Sequence, residues 1–160
     1  MNDEFYMNEA LKEAQQAFKE DEVPVGAVAV FQNQIIGRGH NRTEHLQDPT
    51  AHAEIIAITA AANALGSWRL DEVTVYTTIE PCIMCAGALV LARVKKIVFG
   101  ARDEKFGGCG SIFNIVQEKK LNHQIEVVKG ILQAQAAALM KEFFKKKRKK
   151  SKEVLDKLEQ

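Results

Sequence analysis

The sequence predicts an α/β fold, a three-layer sandwich in which a five-stranded sheet carries helices on both faces. Five short apolar runs are separated by stretches whose apolar residues recur at helical spacing. Strands that alternate with helices build a sheet covered on both sides. The 160 residues, 46% hydrophobic and 27% charged, have the size and composition of one globular domain.

The elements follow in order. Phe5, Ala10, Leu11, Ala14, Ala17 and Phe18 predict an amphipathic helix over residues 3–20, ended by the acidic turn Glu20-Asp21-Glu22. Val25–Phe31 reads as a buried strand, and Gln32-Asn33 turns the chain into a second strand at Ile35-Ile36. Asp48-Pro49 is a helix-start signal, with Asp48 as N-cap and the proline in the first turn. It predicts a helix over 49–65 that carries His52 and Glu54 in its opening turns. Val73–Thr78 is a third strand. Pro81 opens a helix through Arg93, with Lys96–Gly100 and Ile125–Val128 as the last two strands. A long helix then runs from about Ile131 through the basic run Lys145–Lys150.

Charge is divided unevenly. Residues 1–144 hold 14 Lys/Arg against 18 Asp/Glu, whereas residues 145–160 hold 8 against 3. Six consecutive cations make a ready, salt-sensitive contact for phosphates, although such a run alone is also an ordinary solvated helix end. No apolar run reaches the roughly 20 residues needed to span a bilayer, so no membrane association is expected. The acidic N-terminus lacks the basic and apolar regions of a secretory signal. With three cysteines, two of them at metal-ligand spacing, the expected location is the reducing cytoplasm.

Two of those cysteines carry the chemistry. Thr50-Ala-His-Ala-Glu54 is followed, thirty residues after His52, by Glu80-Pro-Cys-Ile-Met-Cys85. One imidazole and two thiolates offer three ligands, His52, Cys82 and Cys85, which leave the fourth position of a tetrahedral zinc open, as in catalytic sites. Such a zinc makes water easier to deprotonate, and Glu54 is placed to carry the proton. A redox dithiol would use neither His52 nor Glu54, and a structural four-ligand site lacks its fourth ligand. Cys109 stands alone in Phe106-Gly-Gly-Cys-Gly and reads as a small buried residue. His40, His45 and His123 are isolated, with surface or hydrogen-bonding roles as the default. The full H-x-E…P-C-x-x-C set is the zinc-deaminase pattern, a match that is far more specific than its parts. One difficulty is geometric, because residues i and i+2 point to different sides of a helix. His52 and Glu54 can share a site only at a helix end, which predicts two helix N-termini facing each other across the metal.

Beyond the motif, the sequence resembles the bacterial tRNA-specific adenosine deaminases of the cytidine deaminase-like superfamily. The stretches that carry the resemblance are Glu22–Ala27, His40–Arg42, Asp48–Glu54, Glu80–Ala88, Val98–Asp103, Leu121–His123, Gly130–Leu132 and Phe143-Phe144. It covers roughly residues 5–148 and implies an α/β/α sandwich with a mixed five-stranded sheet. The domain would be residues 1–148, with 149–160 as a basic helical extension or tail. The resemblance implies hydrolytic conversion of adenosine to inosine at the wobble position of an anticodon, usually that of an arginine tRNA, by homodimers with one zinc per subunit. By similarity Asn41 contacts the flipped base, Glu22 and Val25 line the pocket, and Asp103 meets a neighbouring nucleotide. Phe144 offers a face to an anticodon base, and Lys145, Lys146, Lys147 and Arg148 meet the RNA backbone. Asn41 could equally cap a turn, Asp103 could bind its own backbone, and at least one of Phe143 and Phe144 is expected in the core. His40, where many relatives carry tryptophan, and the bulky Phe106 depart from the pattern. The rival functions are deamination of a free base or nucleoside such as guanine or cytosine, and a non-catalytic RNA-binding zinc protein. The first has no need of the basic run and the second no need of Glu54.

Overall fold

The computed structural model describes residues 2–160. Its helices are α1 (Asp3–Lys19), α2 (Thr43–Leu46), α3 (Ala53–Leu65), α4 (Ile83–Leu91) and α5 (Gln133–Leu158). Its strands are β1 (Gly26–Phe31), β2 (Gln34–His40), β3 (Thr74–Ile79), β4 (Lys96–Ala101) and β5 (Glu126–Lys129). The sheet order is β2-β1-β3-β4-β5. β1 pairs antiparallel with β2 and β3, while β3, β4 and β5 run parallel, so the sheet is mixed. No helix among the described residues is long and apolar enough to cross a membrane.

Alternation along the strands sorts side chains to the two faces. Val28, Val30, Tyr76 and Val98 pack against Tyr6, Met7 and Ala10 of α1. Ala29, Val75, Ile97 and Phe99 pack against Ile58 and Ala61 of α3 and Ala86, Leu89 and Val90 of α4. α5 joins the α1 face, where Ala136 meets Leu11, Ile79 and Ala101. Gln32 and Asn33, at φ 49° and 62°, form the tight turn of the β1–β2 hairpin.

α3 lies so close to β2 that a β-carbon on Gly37 or Gly39 would strike the backbone of Ala57 or Ala53. These glycines set the depth at which the helix rests, and with it the start of the helix.

The structure corrects one helix start. Instead of capping a helix, Asp48 accepts hydrogen bonds from the Thr50 amide (2.8 Å) and hydroxyl (2.7 Å), an Asx turn. α3 begins at Ala53, four residues later than Pro49, with His52 as its N-cap. The short helix α2 was not signalled by periodicity. α4 likewise starts after Pro81, with Cys82 as N-cap. α5 extends to Leu158, and residues 151–158 are exposed on every side.

Candidate active site

His52 and Cys82 are the N-caps of α3 and α4, and Cys85 lies in the first turn of α4. As an N-cap His52 has extended backbone (φ −82°, ψ 154°) and stands outside the helix that carries Glu54. The conflict of i and i+2 directions therefore disappears. His52 Nδ1 lies 3.5 Å from both Cys82 Sγ and Cys85 Sγ, and the three ligand atoms form one compact group. With zinc–sulfur bonds of about 2.3 Å and zinc–nitrogen bonds of about 2.0 Å, the N–S edge of a tetrahedron is ~3.5 Å. Both nitrogen–sulfur edges of the triangle thus match those of a tetrahedral ion.

The electrostatics favour thiolate. The Cys85 thiol, His52 and the Cys85 amide hold Cys82 at about 4. Cys85 is pushed far up by sharing its proton with Cys82, by burial and by the Glu54 carboxylate. Cys82 and Cys85 would hold a dication through both sulfurs, giving up the shared proton as it bound. His52 is raised by its bond to Cys82.

Glu54, in the first turn of α3, is 3% exposed. Burial raises its carboxyl pKa against the opposing contact with Cys85, so it holds a proton more readily than a surface glutamate. The Thr77 hydroxyl lies 3.0 Å from Glu54 Oε1 and 3.1 Å from the Ile79 carbonyl oxygen. A hydroxyl can donate to ionised Glu54, or accept from protonated Glu54 while donating to Ile79. One partner therefore serves both protonation states. Thr77 has no sequence signal beyond its strand.

Beside the triangle is a cavity of about 250 Å³. His52, Glu54 and Cys82 line it together with Asn41, Val25 and Asp103. Val23, Thr43, Ala53, Ile79, Glu80 and Met140 complete the wall and had been given no role. Asn41 is buried, and its Oδ1 and Arg42 Nε are the buried side-chain polar atoms without a partner among the described residues. Asp103 also accepts from the Lys105 and Phe106 amides, so it both lines the cavity and folds its own loop.

Glu22 is not among the lining residues. Its carboxylate accepts from the amides of Glu44 and His45, both at 3.0 Å, and meets the His45 ring at 3.1 Å. α2 has no side-chain cap of its own at Arg42, and Glu22 supplies the missing acceptors from elsewhere in the chain. Burial works to raise its carboxyl, yet the two amides and His45 hold it below the ordinary value.

Glu80 is equally buried and accepts from the amides of Asp103, Cys109 and Ser111, each at 3.1 Å, and from the Ser111 hydroxyl. It pins the 103–111 loop to the cysteine motif. His40 sits between Glu13 and Glu20, and His123 bonds the Val94 carbonyl oxygen, so both make structural hydrogen bonds. Cys109 is a small buried residue whose thiol burial pushes up. Phe143 is buried against Phe18 and Phe144 is 41% exposed. Lys145, Lys146 and Arg148 are exposed, and Lys147 pairs with Asp21 at 3.3 Å.

The model of the MafB19-like deaminases matches residues 1–148. A tRNA-specific adenosine deaminase of Bacillus subtilis (strain 168) is 51% identical over 150 residues, 94% of this chain and 93% of its own length. The chain belongs to the tRNA-specific adenosine deaminases. Another member, from Aquifex aeolicus (strain VF5), is 47% identical over 92% of this deaminase and 97% of its own chain. A solved structure from studies of A-to-I editing by tRNA:A34 deaminases superposes with a TM-score of 0.82. It has 41% identity and covers 84% of this chain and 98% of its own. A guanine deaminase from Nitrosomonas europaea superposes at 0.76, with 27% identity over 88% and 83% of the two chains. The fold is shared by both activities, and the higher identity lies with the tRNA enzymes.

Proposed function

We propose that the protein converts adenosine to inosine at the wobble position of a tRNA anticodon, with zinc held by His52, Cys82 and Cys85. The observation that carries this reading is the His–Cys–Cys triangle beside the buried carboxyl of Glu54, in a chain about half identical to tRNA-specific adenosine deaminases. Zinc in the triangle would supply a readily deprotonated water and a Lewis acid. Glu54 takes the proton of the attacking water and passes it to N1 of the purine. Hydroxide adds at C6, and Glu54 then carries the second proton from the new C6 hydroxyl to the amine, so that the C6–N6 bond breaks, ammonia leaves and the C6 carbonyl of inosine remains. Thr77 keeps the carboxylate oriented through both transfers.

Val23, Val25 and Met140 give the base an apolar wall. The unpartnered Oδ1 of Asn41 gains an N–H or hydroxyl donor from the nucleoside, relieving a cost of about 1–3 kcal/mol. The cavity has room for one nucleoside and none for a base pair, so the target enters splayed from its stack. Glu22 acts from behind the wall by fixing α2 and Thr43. Asp103 and the exposed ring of Phe144 are placed for neighbouring nucleotides, and Lys145, Lys146, Lys147 and Arg148 for the RNA backbone. Residues 1–148 form the deaminase domain and 149–160 a basic helical extension.

A homodimer is supported by α4, which carries no charged residue, and by its exposed Ile83, Met84 and Leu91, the last of which shares a groove with exposed Trp68. A groove of about 650 Å³ between α3 and α4 continues this apolar face. The resemblance points to an arginine tRNA. The cytoplasm is the compartment that holds both tRNA and reduced thiols.

The deciding experiment incubates the zinc-loaded protein with an anticodon stem-loop bearing a wobble adenosine, and in parallel with free guanine, cytosine and adenosine. Inosine in the stem-loop is the expected product. Turnover of a free base alone overturns the reading.

A further inference from the structure

A second, basic cavity of about 230 Å³ lies where the end of α1 meets α5. Its floor is the edge-to-face pair Phe18–Phe143, with ring centroids 5.8 Å apart. Lys146 Nζ stands 5.4 Å from the Phe18 centroid, and Lys147 Nζ 5.6 Å from that of Phe143. Contacts of this kind stabilise a cation by about 0.5–1 kcal/mol and restrict where it points. Lys19 and Lys150 complete the walls, and Asp21 is the one acid among them.

Four lysines against one aspartate leave the cavity strongly cationic. The spacing explains the convergence, since residues 143, 146, 147 and 150 share one face of a helix. Like charges at that spacing repel, which costs α5 a few tenths of a kcal/mol per pair unless an anion intervenes. Asp21 meets Lys147, so Lys19, Lys146 and Lys150 keep no acidic partner in the cavity.

The catalytic cavity is next door. Val23 lines one cavity and Asp21 the other, and Met140 lines one and Phe143 the other. From Met140 the helix advances ~4.5 Å to Phe143 and ~15 Å to Lys150, a span of roughly two to three extended nucleotides. We infer that this cavity binds a phosphodiester of the substrate strand within two or three nucleotides of the target, with Lys19 and Lys150 as contacts from two different helices. The inference rests on the proposed RNA substrate. It divides the basic run into a face that grips the strand beside the active site and a face that does not.

The test compares Lys19→Gln/Lys150→Gln with Lys149→Gln/Lys152→Gln, a pair that removes the same charge from exposed sites outside the cavity. The readouts are the salt dependence of stem-loop binding and the separate kcat and KM for inosine formation. Each lost single-strand phosphate contact lowers the slope of log K against log salt by about 0.7, or about fivefold in affinity at 0.1 M salt. Lys19 and Lys150 share one phosphate, so the cavity variant should lose a slope of about 0.7 and raise KM, with kcat unchanged. The control pair should keep the wild-type slope.

Replacing the phosphodiesters around the wobble nucleotide by uncharged methylphosphonates, one at a time, should identify one position that weakens binding to the wild type and not to the cavity variant. Equal slopes for the two variants, or no such position, overturn the inference. Wild-type protein that binds the stem-loop without making inosine overturns the proposed function and leaves the slope comparison intact. No binding by the wild type overturns both.

Discussion

Glu54 and Glu80 flank the same metal motif and are equally buried, at 3% exposure each, yet they are held in opposite ways. Glu80 is saturated, with three amides and a hydroxyl from one loop. Glu54 has a single hydroxyl from Thr77, which can donate or accept, and the Cys85 sulfur. Burial does not distinguish their roles; the number and kind of donors does. A carboxylate fixed by four donors anchors a loop, and one with an ambivalent partner can carry a proton.

The same substitution at both positions should break them in different currencies. Glu54→Gln keeps shape and removes the proton carrier. Turnover should fall by about 10²–10⁴-fold, while metal analysis finds zinc retained and thermal unfolding shows no loss of stability. Loss of zinc would contradict the role given to Glu54.

Glu80→Gln turns one acceptor oxygen into a donor that faces two others. Unmade bonds of this kind cost about 1–3 kcal/mol each, so denaturant unfolding should show a loss of about 2–6 kcal/mol. The loop bearing Asp103 should loosen and KM should rise more than kcat falls. A Glu80→Gln protein as stable as wild type would remove the distinction.

The smallest effect belongs to Glu22, a third buried carboxylate, which the Glu44 and His45 amides and the His45 ring hold below the ordinary glutamate range despite its burial. A lowered carboxylate contributes stability that is present above the unfolded pKa and lost as pH falls through the folded one. The stability difference between wild type and Glu22→Gln should therefore be full near pH 7 and shrink below about pH 4.5. Urea midpoints of both proteins along a pH series check this, and a difference independent of pH would contradict it.

The sequence displayed some of this and hid the rest, for physical reasons. His52, Cys82 and Cys85 are legible as a group because a metal-ligand set needs particular atoms at particular spacings, and Glu54 because it stands two residues from one of them. The five strands are legible because each is an apolar run. Asp48 misleads because an N-cap and an Asx turn use the same hydrogen bond, from a backbone amide to the same side-chain oxygen. Glu22 looks like a pocket residue beside Val23 and Val25, but its partners lie about twenty residues away in a helix too short to show periodicity. Thr77 and Glu80 act through contacts that exist only once β3 meets α3 and the 103–111 loop. The cavity of Lys19 and Lys150 joins the two ends of the chain, and no local pattern announces such a pairing.

β2 lies at the rim of the sheet, and its two glycines seat α3. Glu54 and His52 thus hang from a strand paired on one side only, while both cysteines follow from central β3. Warming frays a sheet from its borders. The enzyme should go silent while most of its fold is intact, with the cysteine half of the site still in place.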